Sequence, residues 1–359
     1  MPSTPKIKVL IVDDSAIVRK ILSEALAGEP DIEIVGTAPD PYVARDKILS
    51  LAPDVLTLDI EMPRMDGLTF LEKLMRFRPM PVIVISSLAQ PSCRVALQAL
   101  EMGAVDVLGK PGGPYSVGEL RDGLAHKVRA AAAARIRRSG DAPKPVAPPR
   151  LAAVSAPSDA LLAIGASTGG TEAIATVLAR LPASTPGTVI AQHIPPEFSR
   201  AFAARLNEAC AMEVREARDG DAIQPGLALI APGDFHMTVR RAGGKLFVNV
   251  KTGPRVCYQR PSVDVLFHSA AEAAGGRAVG VILTGMGNDG AQGMLRMRQA
   301  GARTIAQDEA SCVVFGMPRE AIALGAVEQV LRLDRIADAI LHTAGQLPAS
   351  GAPARAIAQ

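Results

Sequence analysis

The sequence predicts an α/β protein of two domains, each built on a parallel β-sheet, and three observations support this prediction. Short β-branched runs alternate with amphipathic stretches twice along the 359 residues, before and after an Ala/Pro-rich segment. The first set of strands consists of continuous apolar runs, which is typical of parallel strands covered on both faces. The length exceeds two average domains of roughly 150 residues each.

The first alternation of strands and helices lies between residues 5 and 128. Its strands are predicted at Lys8–Val12, Ile32–Gly36, Val55–Leu58, Val82–Ile85 and Ala104–Leu108. Its helices are predicted at Ala16–Leu26, Tyr42–Leu51, Gly67–Phe77, Cys93–Met102 and Val117–Arg129. Five apolar strands separated by helices predict a parallel sheet with helices on both faces.

Residues 129–158 differ from both flanks because they contain few large apolar side chains. A run of alanines is followed by the basic cluster Arg135–Arg138 and then by many Ala and Pro residues. Pro-rich segments are extended and semi-rigid, so this composition predicts an interdomain linker. Residues 346–359 are rich in Ala, Pro and Ser and predict a flexible tail.

The second alternation spans residues 159–345 and predicts a doubly wound, mostly parallel sheet. Its strands are predicted at Leu161–Ile164, Thr188–Ala191, Val214–Ala217, Leu227–Ala231, Ala278–Leu283 and Arg303–Ala306. Its helices are predicted at Thr171–Ala179, Phe198–Cys210, Val263–Ala274, Ala291–Ala300 and Arg335–Ala344. A β-hairpin is predicted at His236–Arg241 and Lys245–Val250, joined across two glycines.

Composition argues against several classes of function. A net charge of +3, 3% aromatic residues and no Trp give little support for a nucleic-acid or membrane-surface partner. The four cysteines form no CxxC pair, which argues against a zinc site or disulfides and fits a reducing compartment. No apolar run approaches the ~20 residues that span a bilayer. We therefore expect a cytoplasmic protein without membrane insertion.

Polar side chains gather where the strands of the first domain end. Asp13 and Asp14 follow the first strand, Asp59 the third, Ser86 the fourth and Lys110 the fifth. Ligands bind at this edge of an open parallel sheet. Crowded carboxylates repel one another, and Mg²⁺ would relieve that repulsion. The metal and Lys110 would also neutralise a phosphoryl group, so the cluster predicts phosphoryl transfer to a carboxylate. Alternatively, Asp13 and Asp14 could cap the helix that follows them.

This arrangement closely resembles a response-regulator receiver domain. The matching segments are Val12-Asp13-Asp14-Ser15, the run from Leu58 to Gly67, Ile85-Ser86-Ser87 and Gly109-Lys110-Pro111. The resemblance implies a flavodoxin-like (βα)5 fold and a histidine kinase of the chemotaxis type as phosphodonor. Receivers often have an aromatic switch residue three positions before the lysine, whereas this sequence has Val107 there.

The receiver resemblance also assigns roles to individual residues. Asp59 is implied to be the phosphoacceptor, and Ser86 and Lys110 are implied to contact the phosphoryl oxygens. Mg²⁺ is implied to bind Asp14 and Asp59 directly. Asp13 would act mainly through water, and Glu61 would contribute its backbone carbonyl.

In the second domain, three loops at strand ends supply the residue types of a hydrolase. Ser167 lies in a run of small residues that joins a strand to a helix, where helix N–H groups favour developing negative charge. His193 and Asp289 follow two other predicted strands. A serine nucleophile needs a base, and the base needs an orienting acid. The chain order Ser–His–Asp differs from that of α/β-hydrolases, but a triad is defined by geometry.

Two glycine-rich loops permit other interpretations. The loop at Gly165–Gly170 could bind phosphate, but it lacks the Gly-Lys-Ser/Thr ending of a P-loop. Gly285-x-Gly287-x-x-Gly290 matches the dinucleotide-binding fingerprint between a strand and a helix. Against that site, Asp289 would lie beside the pyrophosphate, and the motif lies late in the domain. A nucleotide-dependent enzyme and an inactive docking module are thus the alternatives to a hydrolase.

The three loops together resemble the catalytic domain of the protein-glutamate methylesterase (CheB) family. Supporting segments are Ala231–Met237 and Arg260–Asp264. The resemblance implies Ser167 as nucleophile, His193 as general base and Asp289 as its orienting acid. It also makes the backbone N–H of Met286 a candidate oxyanion donor. Thr168, which is beside Ser167, could hydrogen-bond within the site or cap the helix.

The same resemblance implies a substrate. The activity would be demethylation of glutamate methyl esters and deamidation of glutamines on methyl-accepting chemoreceptors, with no cofactor at the esterase site. An acceptor domain joined by a linker to a hydrolase further suggests a switch, in which phosphorylation of Asp59 relieves inhibition by the first domain, with direct activation as the alternative.

Overall fold

The computed structural model describes residues 5–110, 117–136, 151 and 156–348. The chain divides into two compact units, residues 1–145 and 146–359, and each is described by itself. Most of the segment predicted as a linker, and residues 349–359 of the predicted tail, lie outside the described residues.

The first unit is a five-stranded parallel sheet with strand order β2-β1-β3-β4-β5. Its strands are β1 Ile7–Val12, β2 Ile32–Ala38, β3 Val55–Asp59, β4 Val82–Ser86 and β5 Asp106–Gly109. Its helices are α1 Ala16–Leu26, α2 Pro41–Leu51, α3 Gly67–Phe77, α4 Gln90–Glu101 and α5 Val117–Ala132. The helix starts follow local chemistry, since Ser15, Asp40 and Asp66 cap α1, α2 and α3 with side-chain oxygens.

The second unit contains a seven-stranded parallel sheet and a separate three-stranded antiparallel sheet. The strands are β6 Leu161–Ala166, β7 Gly187–Gln192, β8 Glu213–Glu216, β9 Ala222–Ile223, β10 Leu227–Ile230, β11 His236–Ala242, β12 Lys245–Lys251, β13 Ala278–Ile282, β14 Arg303–Gln307 and β15 Gln329–Leu331. The helices are α6 Gly170–Leu178, α7 Phe198–Ala209, α8 Val263–Ala274, α9 Ala291–Gln299, α10 Met317–Ala323 and α11 Leu333–Ala344.

The order of the large sheet, β15-β14-β13-β6-β7-β10-β8, explains why its centre carries the functional loops. The chain enters at β6, continues to β7 on one side and later returns to β13 on the other. Strands β13, β6 and β7 are therefore adjacent, and their carboxyl ends meet at one edge. The direction of winding reverses around β6, and such a switch point is where α/β sheets bind ligands.

The predicted fold class, two α/β domains with parallel sheets, is confirmed. The predicted hairpin forms as β11 and β12, but it pairs with β9 in its own sheet. Elements β9, α10 and β15 were not predicted, because they have only two, seven and three residues and so give little periodic signal. Within the described ranges, no helix has the length and apolar character needed to cross a membrane.

Candidate active site

Ser167, His193 and Asp289 form a continuous hydrogen-bonded chain at the edge where β6, β7 and β13 end. The Ser167 Oγ lies 3.0 Å from His193 Nδ1, and His193 Nε2 lies 2.7 Å from Asp289 Oδ2. All three residues are buried, with 6%, 7% and 2% of their surface exposed. The structure thus brings together three residues that the sequence placed on separate loops, in the arrangement of a nucleophile, a base and an orienting acid.

The hydrogen bonds fix which nitrogen of His193 can act as a base. Asp289 can only accept when it is ionised, so the Nε2 of His193 carries the proton in this contact. The Nδ1 lone pair then faces the Ser167 hydroxyl, 3.0 Å away, and is placed to take its proton.

The Asp289 carboxylate is held at the start of α8, where it accepts four hydrogen bonds. Oδ1 accepts from the Ser262 hydroxyl at 2.8 Å and from the Asp264 backbone N–H at 3.0 Å. Oδ2 accepts from the Val263 backbone N–H and from His193, both at 2.7 Å. Burial alone would raise the pKa of Asp289, but the contact with His193 and the two backbone donors hold it below its usual range. Asp289 is therefore held as an anion beside the imidazole of His193.

Glycines at two strand ends permit this close packing. A Cβ on Gly165 would lie 2.1 Å from a methyl of Val263, so its absence lets α8 start beside the end of β6. A Cβ on Gly285 would lie 2.7 Å from the Cβ of Ser167. The glycine loop after β13 therefore accommodates the serine, and this placement favours the hydrolase interpretation over a dinucleotide site.

Gln192, the last residue of β7, is a component of the site to which no role was predicted from the sequence. Its side-chain amide donates to the backbone carbonyls of Ser167 at 2.8 Å and His193 at 3.1 Å. The side chain is buried, and a Cβ on Gly170 would collide with its Oε1 at 2.1 Å. Gln192 therefore links the two loops that carry Ser167 and His193. The sequence feature that could have identified it is a polar residue at the end of an apolar strand.

Other residues of the predicted site segments lie around Ser167, His193 and Asp289. Thr168 is buried, and its carbonyl accepts from the Thr284 hydroxyl at 3.0 Å. Met286 is half-buried on the loop after β13. Ser262 caps α8 and in addition donates to Asp289. His236 contacts the Pro254 carbonyl and the Ser262 N–H, which makes it a link between loops.

Known protein families match both domains of the chain. The family model for CheB methylesterase matches residues 162–340, and that for the response regulator receiver domain matches residues 9–120. A protein-glutamate methylesterase/protein-glutamine glutaminase of Syntrophus aciditrophicus is 56% identical over 94% of this chain and 99% of its own length. The chain belongs to the CheB family. Its resemblance to that family, predicted from motifs, is confirmed.

Further relatives of this CheB-family chain give the same result. The Salmonella typhimurium protein-glutamate methylesterase/protein-glutamine glutaminase is 56% identical and covers 95% of the chain and 98% of its own length. The crystal structure of the Thermotoga maritima CheB methylesterase catalytic domain aligns with a TM-score of 0.51 at 37% identity, over 52% of this chain and 98% of that one.

The receiver domain of this CheB-family chain has its own polar site at the ends of β1, β3 and β5. Asp59 is fully buried, and its Oδ2 accepts from Lys110 Nζ at 2.7 Å. Its Oδ1 accepts from the Glu61 backbone N–H at 3.1 Å. Burial raises the pKa of Asp59, and the opposing effects of Lys110 and the Glu61 N–H do not cancel the rise. Burial alone would lower the pKa of the Lys110 ammonium, but its hydrogen bond to Asp59 and the charges of Asp59, Asp13 and Glu61 together raise that pKa.

The acids of this site fit a divalent cation. Carboxylate oxygens of Asp13, Asp14 and Asp59 all lie within 4.8 Å of one another. The Oδ2 of Asp13 is buried without a hydrogen-bond partner among the described residues. Burial and the nearby charge of Asp59 raise the pKa of Asp13 to about 6. Receiver domains in general bind Mg²⁺. Such an ion would provide the missing partner for this buried Asp13 oxygen and would reduce the repulsion between the three carboxylates.

Three other predicted receiver residues are also located. Ser86 is fully buried at the end of β4, and its hydroxyl donates to the carbonyls of Ser87 and Ser92 at 3.3 Å. The Glu61 carboxylate accepts a hydrogen bond from the Ser92 hydroxyl, so its side chain is engaged across the site. Val107 lies buried within β5, so the position of the usual aromatic switch is a core position here.

Proposed function

We propose that the chain hydrolyses glutamate γ-methyl esters and deamidates specific glutamines of methyl-accepting chemoreceptors, through a covalent intermediate on Ser167. The protein is a member of a family of protein-glutamate methylesterases and protein-glutamine glutaminases. The observation that carries the assignment of residues is the hydrogen-bonded chain from Ser167 through His193 to Asp289.

In the first half of the reaction, Ser167 Oγ attacks the carbonyl carbon of the glutamyl side chain. His193 Nδ1 takes the hydroxyl proton, and Asp289 stabilises the imidazolium that forms. Collapse of the tetrahedral intermediate breaks the bond to the methoxy or amino group. The proton on Nδ1 is delivered to that group, so methanol or ammonia leaves. General base catalysis of this kind contributes roughly 10²–10⁴-fold.

In the second half, water attacks the acyl-enzyme with His193 as base, which releases glutamate and regenerates Ser167. The negative charge that develops on the carbonyl oxygen needs donors in a water-poor site. We assign this role to the backbone N–H of Met286, with Thr168 as a neighbouring contact. No cofactor takes part in the esterase reaction as we propose it.

Regulation is assigned to the receiver domain, with Asp59 as the phosphoacceptor and a chemotaxis histidine kinase as the donor. Asp13, Asp14, Asp59 and the Glu61 carbonyl would hold Mg²⁺, which supplies charge neutralisation for the phosphoryl group. Lys110 lies 2.7 Å from Asp59, and we assign it to phosphoryl oxygens together with Ser86. Phosphorylation relieves inhibition of the catalytic domain by the receiver. We place the receiver at residues 5–128 and the catalytic domain at 159–345, with a linker between them and a tail after them.

The test of this function is methanol release from methylated receptor, measured with and without a small phosphodonor. The wild-type chain is expected to release methanol faster when phosphodonor is present, and Ser167→Ala to release none. Asp59→Asn serves as the matched control because it removes the phosphoacceptor but leaves the triad. A Ser167→Ala variant with the wild-type rate would contradict the assignment of the nucleophile.

A further inference from the structure

A short hairpin lies directly beside the catalytic carboxylate, and the proposed mechanism gives it no role. The Cys257 Sγ and carboxylate oxygens of Asp264 and Asp289 lie within 4.8 Å of one another. These groups do not form a metal site, because both oxygens of Asp289 already accept two hydrogen bonds each. We call residues Val256–Gln259 the rim hairpin.

The rim hairpin has an unfavourable backbone conformation for the residues at its tip. Val256 and Gln259 exchange two backbone hydrogen bonds, at 3.0 and 2.8 Å. The two residues between them, Cys257 and Tyr258, have φ values of 49° and 64°. A two-residue turn with both central residues at positive φ normally contains Asn-Gly, because side chains are disfavoured there. A tyrosine at this position carries a conformational cost.

The side chain of Tyr258 does not recover that cost by packing. It is 74% exposed, and no other described aromatic residue of the second unit approaches this exposure. Phe235 follows at 39%, whereas Phe198, Phe202 and Phe267 are buried. Strained backbone that presents an exposed side chain next to a catalytic group is typical of binding sites, where tyrosine is a common anchor.

Tyr258 and Phe235 lie on neighbouring loops, and hydrogen bonds and ion pairs join these loops beside the two aromatic residues. The Asp234 backbone N–H donates to the Arg260 carbonyl at 3.1 Å. The Arg260 guanidinium donates twice to the Asp234 carboxylate, at 3.0 and 2.7 Å, and Arg255 lies 3.3 Å from the same oxygen. His236 holds the Pro254 carbonyl at 2.8 Å. Arg255 and Arg260 thus share the single carboxylate of Asp234 at this rim.

We propose that Tyr258 and Phe235 form the docking surface for the receptor segment that carries the esterified glutamate, with Tyr258 as the main anchor. This inference rests on the proposed function, which supplies an acidic, glutamate- and glutamine-bearing protein segment as the partner. The apolar rings cover the apolar side of that segment, and the positive charge of Arg255 and Arg260 suits its acidic side. The rim hairpin thus recognises the protein rather than the ester.

Two measurements on the full chain with phosphodonor separate docking from chemistry. The first is the affinity of a methylated receptor fragment, measured in a Ser167→Ala background so that no turnover occurs. The second is the rate at which a small fluorophosphonate labels Ser167 in the otherwise unaltered chain. Tyr258→Ala is expected to weaken binding about tenfold or more and to leave the labelling rate unchanged.

Variants of the same turn sharpen the test. Tyr258→Phe keeps the ring and is expected to keep affinity, whereas Phe77→Ala removes a 76% exposed aromatic of the receiver and is expected to change neither measurement. Cys257→Asn with Tyr258→Gly restores the preferred turn sequence, so it is expected to raise the unfolding temperature while still losing affinity. Loss of affinity in a more stable protein cannot be attributed to misfolding.

The outcomes of these measurements are distinct. Unchanged affinity in Tyr258→Ala would overturn the docking surface, and so would a labelling rate that falls in parallel, since the hairpin would then be supporting the triad. Wild-type protein that binds the fragment and is labelled, yet releases no methanol, would overturn the proposed function while the docking result stands.

Discussion

Asp289 shows how a single residue can be both structural and chemical. Its four hydrogen bonds come from a helix start, a hydroxyl and an imidazole, and together they keep a buried carboxylate ionised. An ionised Asp289 fixes the tautomer of His193 and so the direction of proton transfer. The three residues of the site were predictable because each follows a strand. The groups at the start of α8 that donate to Asp289 could not be predicted, because their positions depend on how that helix packs.

The side-chain amide of Gln192 is expected to be required for full activity. Gln192→Leu has a similar size but removes both donors, so the carbonyls of Ser167 and His193 lose a buried partner and the two loops can separate. We expect kcat for methanol release to fall roughly 10- to 100-fold and stability to fall by about 1–3 kcal/mol. Gln192→Glu cannot donate when ionised, so its activity relative to wild type is expected to rise as the pH falls. A Leu variant with normal kcat would contradict the role of Gln192.

The raised pKa of Asp13 predicts a pH dependence of receiver stability. The folded state holds this proton up to about pH 6, whereas the unfolded chain loses it near 3.8. Without Mg²⁺, stability therefore falls as pH rises through that window, by about 2–3 kcal/mol in total. Asp13→Asn is expected to stabilise the receiver at pH 7.5 and to have little effect at pH 4. Added Mg²⁺ should stabilise wild type more at pH 7.5 than at pH 5.

The measurement for Asp13 is the unfolding transition of the receiver in the intact chain, followed at the two pH values with EDTA or Mg²⁺. Asp46→Asn is the control, because that carboxylate is exposed on α2. Equal destabilisation of the Asp13 variant at both pH values would contradict the assigned proton.

The N-terminus of helix α8 both starts the helix and supplies the donors that hold Asp289. Ser262 caps the helix through the Val265 N–H at 3.3 Å and donates to Asp289 at 2.8 Å. Ser262→Ala loses both functions, whereas Ser262→Gly loses the hydroxyl but remains an acceptable cap. We expect a stability loss of about 1 kcal/mol for Ala and a few tenths for Gly.

The catalytic effect of the two Ser262 variants should be the same, since both remove the donor to Asp289. We expect kcat to fall severalfold in each, as measured by methanol release. If kcat fell in Ser262→Ala but not in Ser262→Gly, in parallel with stability, Ser262 would act only as a helix cap.

Among the elements, length decided what could be predicted. Helices such as α8 are long enough to show their periodicity, and its predicted bounds are those observed. Strand β15 has three residues and forms the edge of the sheet, so it lacks both the length and the apolar run of the central strands. The contribution of β9 to the hairpin sheet depends on the tertiary fold, which a pattern within one segment does not contain.

At the scale of the whole molecule, both domains use the same physical device. A parallel sheet brings loops from distant parts of the sequence to one edge, where acids gather in the receiver and a serine, a histidine and an aspartate gather in the catalytic unit. The order β13-β6-β7 makes the three catalytic strands neighbours. Motif order along the chain predicted the residues, but only the winding of the sheet around β6 accounts for their contact.

The unphosphorylated receiver is expected to inhibit the catalytic domain. A truncated chain beginning at Ser155 lacks the receiver, so it is expected to release methanol faster than the intact unphosphorylated chain and to ignore phosphodonor. The fluorophosphonate labelling rate of Ser167 in both chains is the control for an intact triad. A truncated chain no faster than the intact one would indicate direct activation by phosphorylation instead of relief of inhibition.

The central claim is that Ser167 carries the acyl group during turnover. The direct measurement is mass spectrometry of the chain quenched with acid during the steady-state hydrolysis of a methylated receptor peptide. The account predicts a glutamyl-peptide adduct on the fragment containing Ser167, and neither adduct nor methanol with Ser167→Ala. Methanol release from wild type with no adduct at Ser167, together with undiminished release by Ser167→Ala, would contradict it.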